Sequence, residues 1–439
     1  MTSAADLPDD LALAERRGRV LGSGLKQFYE FPFHPVRGAG VWLYDAAGRA
    51  YLDAYNNVPH VGHCHPRVVE ALARQAALVN TNTRYLHEGI VAYAERLVAT
   101  MPPGLDTCLF TCTGSEANDL AWRLATAATG GTGALAAEYA YHGNSTAIIA
   151  LDGASPPEVS GPWVAKLPAP RYPVAGAWGQ GEATGAAWAG AMDGAIETLR
   201  QRGHRPAAFY FCSLFATDGL FVPPPGFLDD GLARLRAAGG LAIADEVQPG
   251  LGRIGTHLWG FQALGVVPDI VTMGKPMGNG HPIGVVVARR DVVDAFFRRQ
   301  RYFNTFGGNP VSAAVGMAVL DVLEEEALQA NARRVGAELK GALEALARRH
   351  PLVGEIRGGG LFLGVELLVD RATRQPATAA ARRVLNALGR EGVLVGLTGP
   401  GAGMIKIRPP MVFDAGNAEQ LLTTLDRVLA AEESRPPSG

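Results

Sequence analysis

The chain has 439 residues, room for two or three domains or two larger ones sharing an interface. Apolar residues make up 48% and charged ones 19%, the latter below the ~25% usual for soluble proteins, which excludes disorder driven by charge and low hydropathy. With 40 Lys+Arg against 42 Asp+Glu the net charge is −2, so no global field draws it to nucleic acid or an anionic membrane.

The N-terminus, Met1 to Glu15, has neither a basic region nor an apolar run, and reads as no signal peptide. No stretch is apolar for the ~18 residues of a membrane span. Cys64, Cys108, Cys112 and Cys212 are too few and too irregular for a disulfide framework, which points to a reducing cytoplasm. Glycine is abundant, 55 of 439 residues, against a usual ~7%. With no repeat or low-complexity tract, these glycines belong at turns and close backbone approaches. Lysine is scarce: Lys26, Lys166, Lys275, Lys340 and Lys406 are the only primary side-chain amines.

In chain order, Gly40–Asp45 and Arg49–Asp53 form a hairpin-like pair around Ala46-Ala47-Gly48, followed by a loop rich in histidine from His60 to Pro66. Helical periodicity runs from Pro66 to Asn80 and over Ile90–Thr100. Short apolar runs then alternate with helical stretches. Thr107–Thr111, Gly133–Ala137, Ala207–Phe211, Gly239–Ala244, Asp269–Met273 and Ile283–Ala288 read as strands. Helices are expected from Ser115, near Ala186–Arg202 and over Phe227–Ala238. The alternation predicts an α/β sheet with mainly parallel strands.

A long helical stretch, Pro310 to His350, is followed by Gly354–Leu368, the helix Ala377–Glu391, the strands Val393–Val395 and Met404–Ile407, and the helix Ala418–Ala430. These predict a smaller α+β unit completed by the N-terminal segment. The expected division is 1–66 as that N-terminal segment, 67–320 as a large domain and 321–439 as a small one.

Lys275 stands just past an apolar strand, in Met273-Gly274-Lys275-Pro276-Met277-Gly278, and active groups of α/β sheets collect at strand C-ends. Thirty residues earlier the strand Leu241–Ala244 runs into Asp245-Glu246. Each motif has a plain structural reading, a surface lysine and a solvated acid pair. Together they supply what a pyridoxal phosphate site needs: an amine to hold the aldehyde as a Schiff base and a carboxylate to keep the pyridine nitrogen protonated. Thr113-Gly114-Ser115 follows a strand and opens a helix, so Ser115 is either an N-cap or part of a phosphate cradle, and both are compatible.

Gly250-Leu251-Gly252-Arg253-Ile254-Gly255 matches a dinucleotide pattern in letters only, because no helix-opening sequence follows it. His60, His63 and His65 lack a placed carboxylate or third ligand and make a weak metal site. A colourless binding module that retains the fold, or a nicotinamide enzyme, remains as an alternative.

Several separated motifs, in order, resemble the class III aminotransferases of the fold-type I pyridoxal-phosphate enzymes. They are Gly114–Asp119, Tyr141-His142-Gly143, Ala244–Gln248, Met273-Gly274-Lys275 and Phe303–Pro310, and the similarity runs from about Pro35 to Leu429. The resemblance implies a large, mainly parallel sheet domain of the seven-stranded type with a smaller α+β domain, and pyridoxal 5′-phosphate as cofactor. It implies that Lys275 carries the cofactor and moves protons and that Asp245 holds the ring nitrogen. Val247 and Tyr141 cover the two ring faces, Gln248 sits near the ring hydroxyl, and Gly114 and Ser115 bind the phosphate. Thr305 reaches the neighbouring subunit's cofactor, in a homodimer with shared sites or a tetramer built from such dimers.

Asn56–Pro66, Asn80–His87 and Met273–Pro282 look closest to the branch holding the ethanolamine-phosphate and phosphohydroxylysine phospho-lyases, itself similar to alanine–glyoxylate aminotransferases. The resemblance leaves two outcomes: amino transfer between an amine or amino acid and a keto acid, or elimination of phosphate from an O-phosphorylated amino alcohol or amino acid. Arg408, Asn57 and Arg84 are the candidates for substrate binding. One departure stands out: Cys212 occupies the position where most relatives have Glu.

Overall fold

The computed structural model describes residues 9–169 and 182–435. Three strands open the chain: β1 (Pro35–Ala39), β2 (Trp42–Asp45) and β3 (Ala50–Asp53), an antiparallel set whose second turn is the expected Ala46–Gly48. The helix Asp10–Leu21 precedes them; its pattern escaped sequence reading because no residue on it is buried, so it carries no apolar stripe to a core.

The large sheet follows. It contains β4 (Leu105–Thr111), β5 (Gly133–Ala137), β6 (Val164–Leu167), β7 (Pro206–Cys212), β8 (Leu241–Asp245), β9 (Ile270–Met273) and β10 (Gly284–Arg289), in the spatial order β4-β10-β9-β8-β7-β5-β6. Only β10 runs against its neighbours. β5, β8, β9 and β10 are buried almost throughout, as expected of strands covered on both faces. β6 lay in a stretch read as loop; it is four residues long at the sheet edge, too short for a period to show.

The stretch Pro310–His350, expected as one helical run, is two helices, Pro310–Glu325 and Leu328–Ala347. Ala327 between them adopts a φ of +50° that ends the first. Beyond lie β11 (Val353–Gly359), β12 (Phe362–Asp370), β13 (Gln375–Pro376), β14 (Val393–Leu394), β15 (Gly396–Thr398) and β16 (Met404–Ile407). β11, β12, β16 and β15 form an antiparallel sheet with β13 beside β12. Gly360-Leu361 makes the β11–β12 turn; a Cβ at Gly360 would lie 2.4 Å from the Arg253 carbonyl oxygen. β14 pairs in parallel with β3, Val393 opposite Leu52, tying the two chain ends together.

Because β4, β5, β7, β8 and β9 point the same way, their C-ends share one edge of the sheet. The loops that leave that edge carry Thr113–Ser115, Tyr141–Gly143, Cys212, Asp245, Val247, Gln248 and Lys275, which line a common cleft.

Candidate active site

Asp245 closes β8 and is 5% exposed. Its Oδ2 accepts from Asn118 Nδ2 at 3.0 Å and His142 Nδ1 at 2.7 Å, and its Oδ1 from the Val247 N–H at 3.0 Å. Asn118, on the helix Gly114–Thr129, is itself fixed, donating also to the His142 carbonyl at 2.7 Å and accepting from Thr272 Oγ1 at 2.7 Å. Three donors on one buried carboxylate hold its direction. Neither Asn118 nor His142 was assigned a role from sequence, although both sit inside quoted motifs.

Glu246 turns the other way. It accepts from Ser213 Oγ, from the Gly260 N–H at 2.7 Å and from the Phe261 N–H at 2.9 Å, and burial pushes its carboxyl up to about 7. The acid pair therefore divides into one member facing the cleft and one pinning a loop.

Lys275 begins a short helical turn after β9. Burial first, then the charge of Arg408, holds its amine below the usual lysine range, against the opposing pull of Asp245 and Cys212. A depressed lysine keeps more of the free amine, the form that attacks a carbonyl. Gly274 lets this segment pass close to the helix start, since a Cβ there would lie 2.9 Å from the Gly114 Cα.

At that helix start Thr113 accepts from the Glu116 N–H at 3.1 Å, and the Ala117 N–H bonds to the Thr113 carbonyl at 2.9 Å. The first N–H groups of the helix, at Gly114 and Ser115, are left toward the cleft with the positive end of the helix dipole behind them. Gly143 crosses this point at a φ of +140°, and a Cβ on it would lie 2.7 Å from Ser115 Oγ. Tyr141 and Val247 line the same cleft from different loops.

Arg408, just past β16, is buried, with its guanidinium between the rings of Tyr55 and Phe362 at 5.2 and 5.3 Å. It donates to Gln248 Oε1 and, at 3.4 Å, to the Tyr55 carbonyl. Gln248 is thus turned toward Arg408, and no carboxylate pairs with that guanidinium among the described residues. Cys212, at the end of β7, has its thiol pushed up to about 12 by burial and then by Asp245, so it stays neutral. Asn57 is buried with its Nδ2 unpartnered, but does not line the Lys275 cleft.

Two further expected residues also lie elsewhere. Arg84 is exposed, its guanidinium 3.8 Å from the Phe303 ring centroid, and Thr305 is exposed on the neighbouring loop. Neither reaches the cleft of its own chain. The histidines are engaged in hydrogen bonds: His60 Nε2 with the Leu251 carbonyl at 2.7 Å, His63 with Asp53 at 2.7 Å, His65 with Glu326 at 3.0 Å. Gly255, in the dinucleotide-like pattern, packs on a helix, where a Cβ would meet the Arg333 Cα at 2.6 Å.

The profile of the family described as aminotransferase class-III matches residues 26–429. The chain belongs to the class III aminotransferase family. It is 40% identical over 435 residues to an alanine–glyoxylate aminotransferase 2-like protein of Drosophila melanogaster, covering 94% of this chain and 86% of that one. It is 39% identical to ethanolamine-phosphate phospho-lyase homolog 1 of Caenorhabditis elegans, covering 95% and 93%. Among solved structures, a phospholyase from Arthrobacter in complex with phosphoethanolamine superposes with a TM-score of 0.91 at 42% identity, covering 97% of this chain and all of that one.

As a class III aminotransferase-family member the chain is a pyridoxal-phosphate-dependent enzyme of fold type I. The cleft fits that cofactor on its own terms: a buried amine, a fixed carboxylate and a helix N-terminus kept open by glycine lie around one space. Among the described residues no helix is long and apolar enough to cross a membrane.

Proposed function

We propose that this enzyme transfers an amino group between an amine or amino acid and a keto acid. The observation that carries the reading is the meeting of Lys275, Asp245 and Ser115 in one cleft, beside a buried Arg408 that lacks a carboxylate partner among the described residues and is suited to a substrate anion. Bound pyridoxal phosphate supplies the aldehyde that takes the amino group and an electron sink for the bond broken at the substrate Cα.

The chain's own residues do the rest. Asp245, held by Asn118, His142 and Val247, keeps a proton on the ring nitrogen. The Gly114 and Ser115 N–H groups would anchor the phosphate. Val247 and Tyr141 would cover the two faces of the ring, and Gln248, hydrogen-bonded to Arg408, would sit near the ring hydroxyl. Lys275 Nζ takes the proton from the substrate Cα and returns it.

A second reading is favoured by the 42% identical phospholyase structure: elimination of phosphate from an O-phosphorylated amino alcohol or amino acid. One experiment separates the two. O-phosphoethanolamine is added to holoenzyme without a keto acid, and free phosphate is followed with the cofactor's absorption. Conversion to the pyridoxamine form that stalls after one turnover supports transfer; phosphate release over many turnovers supports elimination. Multiple-turnover transamination by Lys275→Ala would refute both.

The reading extends to assembly, layout and place. Tyr85, Leu86, Phe303 and Phe306 expose apolar surface around Arg84 and Thr305, which supports a homodimer, or a tetramer of dimers, in which Thr305 completes the partner's phosphate site and Arg84 lies at the interface. The division at residues 66 and 320 belongs to the same reading, with the pairing of β3 and β14 in its support. Four unpaired cysteines suit the cytoplasm.

A further inference from the structure

The turn that carries Lys275 is held at its far end by a residue the chemistry above does not use. Lys275 has a φ of +23°, although it precedes Pro276, a neighbour that drives the residue before it toward extended backbone. A positive φ on a long side chain persists only where the surroundings impose it. On one side Gly274 is pressed against Gly114 at the helix start. On the other, Pro276, Met277 and Gly278 are buried against the helix Pro310–Glu325, and the turn ends at Asn279.

Asn279 is left-handed, with φ +48° and ψ +39°, a conformation that asparagine tolerates better than most side chains. Both ends of its amide engage the backbone of the N-terminal loop: Oδ1 accepts from the Val61 N–H at 2.9 Å, and Nδ2 donates to the Gly62 carbonyl at 2.8 Å. That loop is itself fixed to three distant segments. His60 donates to the Leu251 carbonyl through Nε2 and accepts from Arg253 Nη2 at 3.0 Å through Nδ1. The Met411 N–H bonds to the His60 carbonyl and the His63 N–H to the Gly40 carbonyl, each at 2.7 Å. Gly62, at a φ of +103°, has Gly40 so close that a Cβ would lie 3.2 Å from its Cα.

A clamp transmits position only when its anchor does not move, and this anchor is braced from several sides. We propose that Asn279 is a positioning residue for Lys275: by tying the end of the turn to the Val61–Gly62 backbone it imposes the lysine's backbone conformation, and with it the direction from which Nζ meets the substrate Cα. The assignment rests on reading Lys275 as the proton carrier, and it holds for transfer and elimination alike. A misdirected amine costs rate rather than substrate affinity.

Asn279→Gly keeps the left-handed turn and removes both side-chain bonds, while Asn279→Asp keeps the acceptor for Val61 and loses the donor to Gly62. Single turnovers of the cofactor band in loaded enzyme are followed with an amine carrying hydrogen or deuterium at Cα. Asn279→Gly is expected to be about ten- to a hundredfold slower than the parent, with Asn279→Asp between them, half-saturation by the amine within about twofold and the deuterium effect undiminished. A parent-like rate, weakened amine binding at an unchanged rate, or a slowing in which the deuterium effect disappears overturns the proposal.

Melting of the cofactor-free full chain reads the backbone without any turnover. Lys275→Gly relieves the positive φ and Lys275→Ala does not, so the Tm of the glycine variant relative to the alanine variant should be higher with Asn279 present than in the Asn279→Gly background. The same difference in both backgrounds would leave Asn279 as a support of the N-terminal loop alone and overturns the proposal. If Asn279→Gly does not fold, Asn279→Asp takes its place in both measurements. Sustained turnover by Lys275→Ala would instead strike the proposed function, and the melting comparison would still decide what Asn279 does to the turn.

Discussion

Asp245→Asn removes one negative charge from the cleft at nearly constant volume. An adjacent opposite charge shifts a partner's pKa by about 1–3 units, about 1.4 kcal/mol each, so the protonated ring should lose about 1.4–4 kcal/mol and the first half-reaction about ten- to a thousandfold in rate. The hydrogen bonds set a separate cost. Val247 keeps its acceptor, but Asn118 Nδ2 and His142 Nδ1 both aim at the atom that becomes an amide nitrogen. His142 can move its proton to Nε2, which is buried and unpartnered. Asn118 cannot flip, because its Oδ1 is held by Thr272. One donor is stranded, about 1–3 kcal/mol of stability. Single-turnover kinetics of the cofactor band, with thermal melts alongside, measure both. A fully loaded Asp245→Asn enzyme within about twofold of the parent rate would refute Asp245 as the ring's partner.

Further changes test the scaffold. Glu246 has a folded pKa of about 7 against 4.5 unfolded, so its contribution is full below about pH 4.5 and lost as pH rises through about 7. Glu246→Gln removes that loss, and its Tm deficit relative to the parent should shrink between about pH 5 and 8; a constant deficit would contradict the burial argument. Gly143→Ala places a Cβ against Ser115 Oγ at a φ foreign to alanine, and should weaken cofactor binding by about tenfold or more, with about 1–3 kcal/mol lost in stability. Cofactor titration and melts read both. Leu86 is 101% exposed in the single chain, so Leu86→Asp should leave the subunit fold intact while lowering the mass seen by analytical ultracentrifugation; an unchanged mass would remove this surface from the interface.

The large sheet was legible because buried parallel strands are continuous apolar runs with glycine-marked ends, and runs such as Leu241–Asp245 have no other use. The helix Asp10–Leu21 and the edge strand β6 were not, since neither buries a repeating face long enough to impose a period. Ala327 broke an otherwise uninterrupted helical pattern by a backbone conformation that its side chain does not announce.

In the site, the sequence alone determined the chemical identities: a lysine beyond one strand, an acid ending another, a serine opening a helix. These are local signals, written in neighbouring residues. Only the tertiary structure decided which way each side chain faces and what partners it has. It separated Asp245 from Glu246, brought Asn118 and His142 onto one oxygen, turned Gln248 toward Arg408, and kept Arg84 and Thr305 out of their own chain's cleft. Those partners come from segments far apart in the chain, so their contacts are settled by packing rather than by neighbouring residues.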